Sequence, residues 1–399
     1  MSTRSVLVIN AGSSSVKYQL VHPDTGESYA KGLIERMGLP RGAVHHTVDG
    51  TTHRRTIVVP DHAAAMTLLT QAFAEHGPDL STVDLVAVGH RVVHGGADFA
   101  DPTLITPAVL TTVEQLVPLA PLHNPGNLQG IVAAQEIFPE VPQVAIFDTA
   151  FHQSMPPEAS TYAVPAAWRN QYRVRRYGFH GTSHAYVSRR VAELMGRPLE
   201  EVRTVVLHVG NGASATAVDG GRSVDTSMGL TPLEGLVMGT RGGDLDPGLP
   251  GHLARVAGMS IEDFDRALSK ESGLLGLTGS ADFRELHARR DAGDADAELA
   301  FGVVAHRLLR YVGAFSAVLG GVDAIVFTAG VGENDPELRS RVLERLGFLG
   351  VRIDAAANET TIRGAEGRIT TEDSTVQVWV VPTNEEWEIA HQAADVVER

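Results

Sequence analysis

Val6-Leu7-Val8-Ile9-Asn10-Ala11-Gly12-Ser13-Ser14-Ser15-Val16-Lys17-Tyr18-Gln19-Leu20 reads as a buried strand, a tight polar turn and a second strand. A hairpin of this kind can present a phosphate. Gly12 lets the backbone turn sharply, Asn10, Ser13, Ser14 and Ser15 offer small donors, and Lys17 brings a cation within reach. A serine-rich hairpin that binds nothing would account for this stretch equally well if it stood alone.

It does not stand alone. Thr204-Val205-Val206-Leu207-His208-Val209-Gly210-Asn211-Gly212-Ala213-Ser214-Ala215-Thr216-Ala217-Val218 repeats the plan: apolar strand, Gly/Asn/Ser turn, second β-favouring run. Two such hairpins at corresponding places predict an internal duplication, with one phosphate hairpin per half facing a shared cleft. That is the architecture of actin-like ATPases and sugar kinases.

The bulk properties bound the reading. A chain of 399 residues exceeds one ordinary core, so two domains are expected. Hydrophobic residues at 43%, charged residues at 20% and near-zero mean hydropathy describe a globular protein and not a disordered one. The formal net charge of −15 disfavours nucleic acid and anionic membrane as partners. An anionic ligand must then be held by local cations or metal. The absence of cysteine removes disulfide and thiol chemistry. No signal-type segment opens the sequence and no apolar run approaches a membrane span, so the cytoplasm is the expected compartment.

Strand-like runs at 6–9, 85–88, 144–146, 204–209, 324–328 and 376–381 alternate with helical stretches, which predicts an α/β protein. Asp335-Pro336 should open a helix carrying Leu338, Val342 and Leu346, with Gly347 at its C-terminal cap. A helix is also expected over 183–195, ending at Gly196, and the segment 298–319 is long, strongly apolar and expected to be buried. The polar stretch 291–296 reads as a solvated loop. The domain boundary is placed near Thr149, giving an N-terminal domain at 1–149 and a second at 150–385. A final amphipathic segment, 386–399, is expected to complete the first domain.

P-loop, dinucleotide-fold and protein-kinase signatures are all missing. A third glycine turn, Ala329-Gly330-Val331-Gly332-Glu333-Asn334, follows the strand at 324–328 and would suit the adenosine end of a nucleotide, although a plain strand-to-helix connection also explains it. Three clusters place Arg or His beside glycine: 89–96 with Arg91, 176–184 with His180, and 238–244 with Arg241. Arginine suits a transferring phosphoryl group because its planar fork pairs with several oxygens and stays charged. A lone Arg is otherwise a surface ion pair, and a lone His a satisfied core residue. Asp148 ends a strand, where α/β folds place ligands. Glu385 could hold Mg²⁺ with Asn10 through oxygen ligands, or could simply cap the last helix.

With these motifs in order, the whole chain resembles the acetate kinases, the acetokinase family of the actin-like superfamily. The resemblance runs from the strand with Asn10 to Asn384-Glu385-Glu386, and includes the segments around 10–17 and 203–220. It implies a duplicated actin-like (ribonuclease H-like) two-domain α/β fold with an interdomain nucleotide cleft. It further implies Mg²⁺-dependent phosphoryl transfer between ATP and acetate, giving ADP and acetyl phosphate, with Mn²⁺ as an alternative metal, and a homodimer. By the same resemblance Arg91 would bind the acyl substrate, Asp148 would be the catalytic acidic residue, and His180 and Arg241 would stabilise the transition state. Asn10 and Glu385 would ligate the metal. Nucleotide contacts would come from Lys17, from His208, Val209, Gly210, Asn211 and Gly212, from Asp282, Phe283 and Arg284, and from Gly330, Val331, Gly332, Glu333 and Asn334. Val93, Leu122 and Pro232 would wall the acyl pocket. Val209 and Phe283 stand where Leu and Met are expected, and Trp387 stands where Leu is usual.

A carboxylate acceptor is already ionised at neutral pH, so no general base is required, and Asp148 reads better as an organising group than as a proton acceptor. A kinase preferring propionate or butyrate is the nearest rival. A sugar kinase would need a base for its hydroxyl acceptor. A non-enzymatic actin-fold ATP switch would keep the hairpins without needing Arg91 and Arg241.

Overall fold

The computed structural model describes residues 4–399. Its chain forms two units: the described residues up to Phe151 together with Asn384–Arg399, and His152–Thr383. The change of unit at Asn384 puts Glu385 in the first unit, one residue outside the expected 386–399 segment.

The first unit contains β1 (Arg4–Ala11), β2 (Ser15–Val21), β3 (Ser28–Glu35), β4 (Gly42–Val48), β5 (Thr51–Ile57), β6 (Asp84–Val92), β7 (Thr103–Leu104) and β8 (Gln143–Phe147). They form one sheet in the order β5-β4-β3-β2-β1-β6-β8-β7. The second unit contains β9 (Arg203–Val209), β10 (Ala213–Asp219), β11 (Arg222–Thr226), β12 (Ala324–Thr328), β13 (Gly367–Arg368) and β14 (Gln377–Val380), in the order β11-β10-β9-β12-β14-β13. Both sheets hold the same five-strand core: β3-β2-β1-β6-β8 in one and β11-β10-β9-β12-β14 in the other. In each the first three strands are antiparallel and the next two join in parallel. The duplication read from two hairpins therefore extends to a five-strand core of each sheet.

Why the central strands are so apolar follows from their cover. Val6–Ile9 of β1 are buried on both faces. Leu7, Ile9 and Leu20 pack with Leu69 and Phe73 of the helix His62–His76 and with Ala133 and Ala134 of the helix Asn124–Ile137. Val6, Val8 and Ile146 pack instead with Ile389, Ala390, Ala393 and Ala394 of the helix Glu385–Glu398. In the second unit the helix Gly181–Met195 packs on β9 and β12, and the helix Ala295–Val318 packs on β9, β10 and β11.

Most expected elements occur within a few residues of their predicted bounds. The helix expected at 183–195 runs Gly181–Met195 and ends on Gly196 at φ 65°, a glycine-favoured cap. Two readings are corrected. The helix after Asp335 spans only Pro336–Leu343, and Gly347 opens a separate 3₁₀ turn, Gly347–Leu349, instead of capping it. The stretch 291–296 is not a free loop either: Phe283–Asp291 is helical to its end, and Asp294 caps Ala295–Val318 by accepting from the N–H groups of Asp296 and Ala297. A polar run between two helices offers the same composition whether it wanders or caps.

Candidate active site

In the first unit Arg91 and Asp148 meet because β6 and β8 are parallel neighbours with Arg91 opposite Ile146, which leaves Asp148 one step beyond the strand. Its N–H donates to the Val92 carbonyl. Arg91 Nε donates to Oδ1 of Asp148 at 2.9 Å and Nη2 to Oδ2 at 2.8 Å, a two-point pairing. Nη2 also lies 3.8 Å from Oε2 of Glu385. Burial alone would lower the Arg91 pKa, but the carboxylates of Asp148 and Glu385 outweigh it and hold the guanidinium charged. Burial pushes Glu385 up from the ordinary carboxylate range, with Arg91 pulling the other way. Nη1 of Arg91 has no hydrogen-bond partner among the described residues, so one edge of the fork remains open.

The two readings of Glu385 can now be separated. The cap of the last helix is Asn384, whose Oδ1 accepts from the Trp387 N–H at 3.2 Å, while the Glu385 carboxylate turns towards Arg91. Trp387 does not crowd that carboxylate. Its indole Nε1 donates to the Pro23 carbonyl at 2.8 Å and its ring lies over Gly26, which at φ 74° leaves it room. No group of three or more His, Cys, Asp or Glu among the described residues is arranged to hold a metal. Asn10 and Glu385 are all-oxygen donors, the few protein ligands expected of an ion that takes the rest of its shell from water and phosphate.

Asn10 and Lys17 are opposite each other across β1 and β2. Both line a cavity of about 240 Å³ with Lys31, His45 and Glu386. The turn between them closes by a bond from the Gly12 N–H to the Ser15 carbonyl. Val93 follows β6 and is partly buried, whereas Leu122 is 62% exposed.

The helix Asn124–Ile137 supplies what sequence reading missed in this unit. Asn127, nearly fully buried, accepts from the Val93 N–H and donates to the Ala11 carbonyl at 2.6 Å. Asn124 accepts from the N–H of His94 and donates to its carbonyl. Two glycines let the helix come this close: a Cβ on Gly126 would stand 2.8 Å from the Gly12 carbonyl carbon, and one on Gly130 would stand 2.3 Å from Cβ of Ala11. The spacing Gly126-x-x-x-Gly130 was the available signal.

In the second unit β9 and β10 close at Gly210–Gly212 by a bond from the Gly210 N–H to the Gly212 carbonyl. A Cβ on Gly212 would stand 2.7 Å from Nη2 of Arg241 and 3.6 Å from Nε2 of His180, so both side chains converge on this glycine. Arg241 donates from Nη1 to the Pro232 carbonyl at 2.8 Å, and among the described residues no carboxylate pairs with it. Burial, uncompensated by any anion, lowers its pKa. His180 sits at φ 56°, a strained value for a side-chain-bearing residue. Its ring stacks on that of His208 at 4.2 Å between centroids, and His208 is bonded through Nδ1 to Ser183.

Asn211, Asp282, Phe283, Arg284, Gly330, Val331 and Asn334 line one cavity of about 1090 Å³ in this unit. His208, Val209, Gly210, Gly212, Gly332 and Glu333 do not line it. Asp282 caps the helix Phe283–Asp291 and is held low, at about 2, chiefly by the Arg284 side chain. His287, also on the cavity wall, was missed; its Nε2 lies 2.7 Å from Asp335, which raises its pKa. Arg339, fully buried, was missed as well. It donates to the carbonyls of Gly332 and Glu333 and to Asn358, fastening the glycine turn from behind.

Comparison with known proteins agrees over the full length. A sequence model of the acetokinase family matches residues 5–391. The chain is 56% identical to an acetate kinase of Leifsonia xyli subsp. xyli over 98% of this chain and 99% of that one. Among solved structures it is similar to Porphyromonas gingivalis acetate kinase, with TM-score 0.94 and 41% identity over 99% of this chain and 100% of that one. It is also similar to a propionate kinase from Francisella tularensis, with TM-score 0.92 and 39% identity over 99% and 100% of the two chains. The chain belongs to the acetokinase family.

Proposed function

We infer that this protein transfers a phosphoryl group between ATP and acetate, yielding ADP and acetyl phosphate. The observation that carries the reading is Arg241: a half-buried guanidinium beside a glycine hairpin, held by a backbone carbonyl and, among the described residues, supplied with no carboxylate. Such a cation is prepared for an anion that the folded chain does not itself contain.

Arg91 receives the acceptor carboxylate through its open Nη1 edge, while Asp148 holds the other edge and fixes the fork's plane. An aspartate engaged in this way is a positioning group, which suits an acceptor that needs no base. His180 and Arg241 take the oxygens of the transferring group. Asn10 and Glu385 would hold Mg²⁺, or Mn²⁺, and the ion when bound supplies neutralising charge on the phosphate oxygens. Lys17 and the 208–212 turn serve the phosphates. Asp282, Phe283, Arg284 and the 330–334 turn serve the adenosine end, and Val93, Leu122 and Pro232 form the apolar wall for the acyl group. The two units act as the two domains of the fold, and a cytoplasmic homodimer is the expected setting.

Propionate is the second acceptor to weigh, because a propionate kinase is so similar in structure. Hydroxamate trapping of the acyl phosphate with acetate, propionate and butyrate, with and without Mg²⁺, tests both. Metal-dependent turnover that is highest with acetate supports the first reading; preference for propionate supports the second; no acyl phosphate from any acid overturns both.

A further inference from the structure

One hydroxyl ties His180 to the hairpin of the second unit. Ser214, fully buried on β10, places Oγ 2.8 Å from Nδ1 of His180 and 2.7 Å from Nε2 of His184. A serine hydroxyl has a single hydrogen to donate. Among the described residues that hydroxyl has no acceptor but the two rings, so it gives to one imidazole and accepts from the other, and the direction decides which nitrogen of His180 carries hydrogen.

His184 determines that direction. Its ring is completely buried, and its Nδ1 has no hydrogen-bond partner among the described residues. Burial keeps the ring neutral, so only one of its nitrogens bears hydrogen. If that were Nδ1, an N–H would be buried with no acceptor. If it is Nε2, the orphan is only a lone pair, the commoner and milder defect. His184 Nε2–H thus donates to Ser214, and Ser214 donates to Nδ1 of His180. A neutral His180 is then left with its hydrogen on Nε2, the nitrogen nearest Gly212.

We propose that Ser214, aligned by His184, is a positioning residue that locks His180 in the Nε2–H form, making it a neutral donor at the Gly212 turn beside the Arg241 cation. For its catalytic consequence this rests on the phosphotransferase reading; for the tautomer it does not. Titratable and charged groups around the ring include His184 on its own helix, His208 stacked on its face and Arg241 at Gly212, with His152 at 5.6 Å from the His184 ring. A free imidazole above its protonation range divides its hydrogen between the two nitrogens, so without Ser214 part of the population would point a lone pair at the phosphoryl oxygens.

The test is ¹⁵N-histidine NMR of the full chain at pH 8, with the His180 resonances assigned by their loss in His180→Asn, joined to kinetics of Ser214→Ala and Ser214→Thr. Wild type should show protonated Nε2 and bare Nδ1 at His180, and Ser214→Ala should show a mixture. In Ser214→Ala, kcat should fall by about tenfold with little change in either KM. Ser214→Thr keeps the hydroxyl and should keep both tautomer and rate. Protonated Nδ1 in neutral wild-type His180 overturns the proposal, as does a Ser214→Ala kcat equal to that of wild type. If Ser214→Ala does not fold, the wild-type spectrum alone decides. Absence of phosphotransfer to any carboxylate by wild type would defeat the functional reading, and the spectrum would still decide the tautomer.

Discussion

The two glycine hairpins share a topology and differ in chemistry. In the first, Asn10 faces Lys17 across the strands; at the equivalent register of the second, His208 faces Ser214. The arginines differ in the same sense: among the described residues Arg91 is held by two carboxylates and Arg241 by none. The first unit thus arranges oxygen donors around a neutralised cation, the setting proposed above for a metal and an acceptor acid. The second leaves a cation without a carboxylate among the described residues beside the stacked imidazoles of His180 and His208, the setting proposed for phosphate. One scaffold thus occurs twice, with different residues at matching positions.

The largest expected effect tests that division directly. Arg91→Ala and Arg241→Ala should each lower kcat/KM by about 10²–10³-fold, since each removes a prepared electrostatic contact. Their stabilities should part company. Arg91→Ala strands Asp148 and Glu385 and should cost about 1–3 kcal/mol, whereas Arg241→Ala removes a half-buried charge with no carboxylate partner among the described residues and should leave thermal unfolding unchanged or raised. Equal Tm shifts would erase the contrast.

Acid should affect both units alike. His90 in the first and His152 in the second are fully buried, and desolvation lowers each to about 4. The unfolded chain takes up these protons near pH 6.5 and the folded chain only near 4, so stability present above 6.5 is lost as pH falls between those values. Each contributes up to about 3 kcal/mol. Denaturant midpoints measured from pH 7.5 to 4.5 should decline accordingly; a flat profile would mean that the buried rings protonate without cost.

Glu385→Ala isolates the oxygen-donor side. The Mg²⁺ concentration for half-maximal rate should rise by about tenfold or more, with the nucleotide KM measured at saturating metal changed less. An unchanged metal response would leave Glu385 as a partner of Arg91 alone. Gly126→Ala forces the helix Asn124–Ile137 away from the Gly12 turn and should cost about 1–3 kcal/mol together with some loss of rate. Smallest of all, Val93→Ala should narrow the preference for acetate over propionate, because one methylene in a pocket is worth about 1–3 kcal/mol. The ratio of the two kcat/KM values reads this, and an unchanged ratio removes Val93 from the acyl wall.

Sequence alone determined the α/β class, the duplication and most strand positions, because period and composition record local backbone preference and burial, and because a repeated glycine turn is visible as a repeat. It also nominated Arg91, Asp148, His180, Arg241 and Glu385 as residue types suited to the chemistry. It did not determine partners. Arg91 meets Asp148 only through the register of two parallel strands 57 positions apart in the chain. Whether Glu385 caps a helix or faces a guanidinium depended on which residue took the cap, and Asn384 took it. Gly347 was misread because a helix end is set by tertiary packing as much as by the nearest glycine. Asn127, His287 and Arg339 escaped notice because a buried amide, a wall histidine and a buried arginine have no local pattern. Their roles exist only where distant segments bring carbonyls, amides and carboxylates within hydrogen-bond reach, and only the tertiary structure decides that.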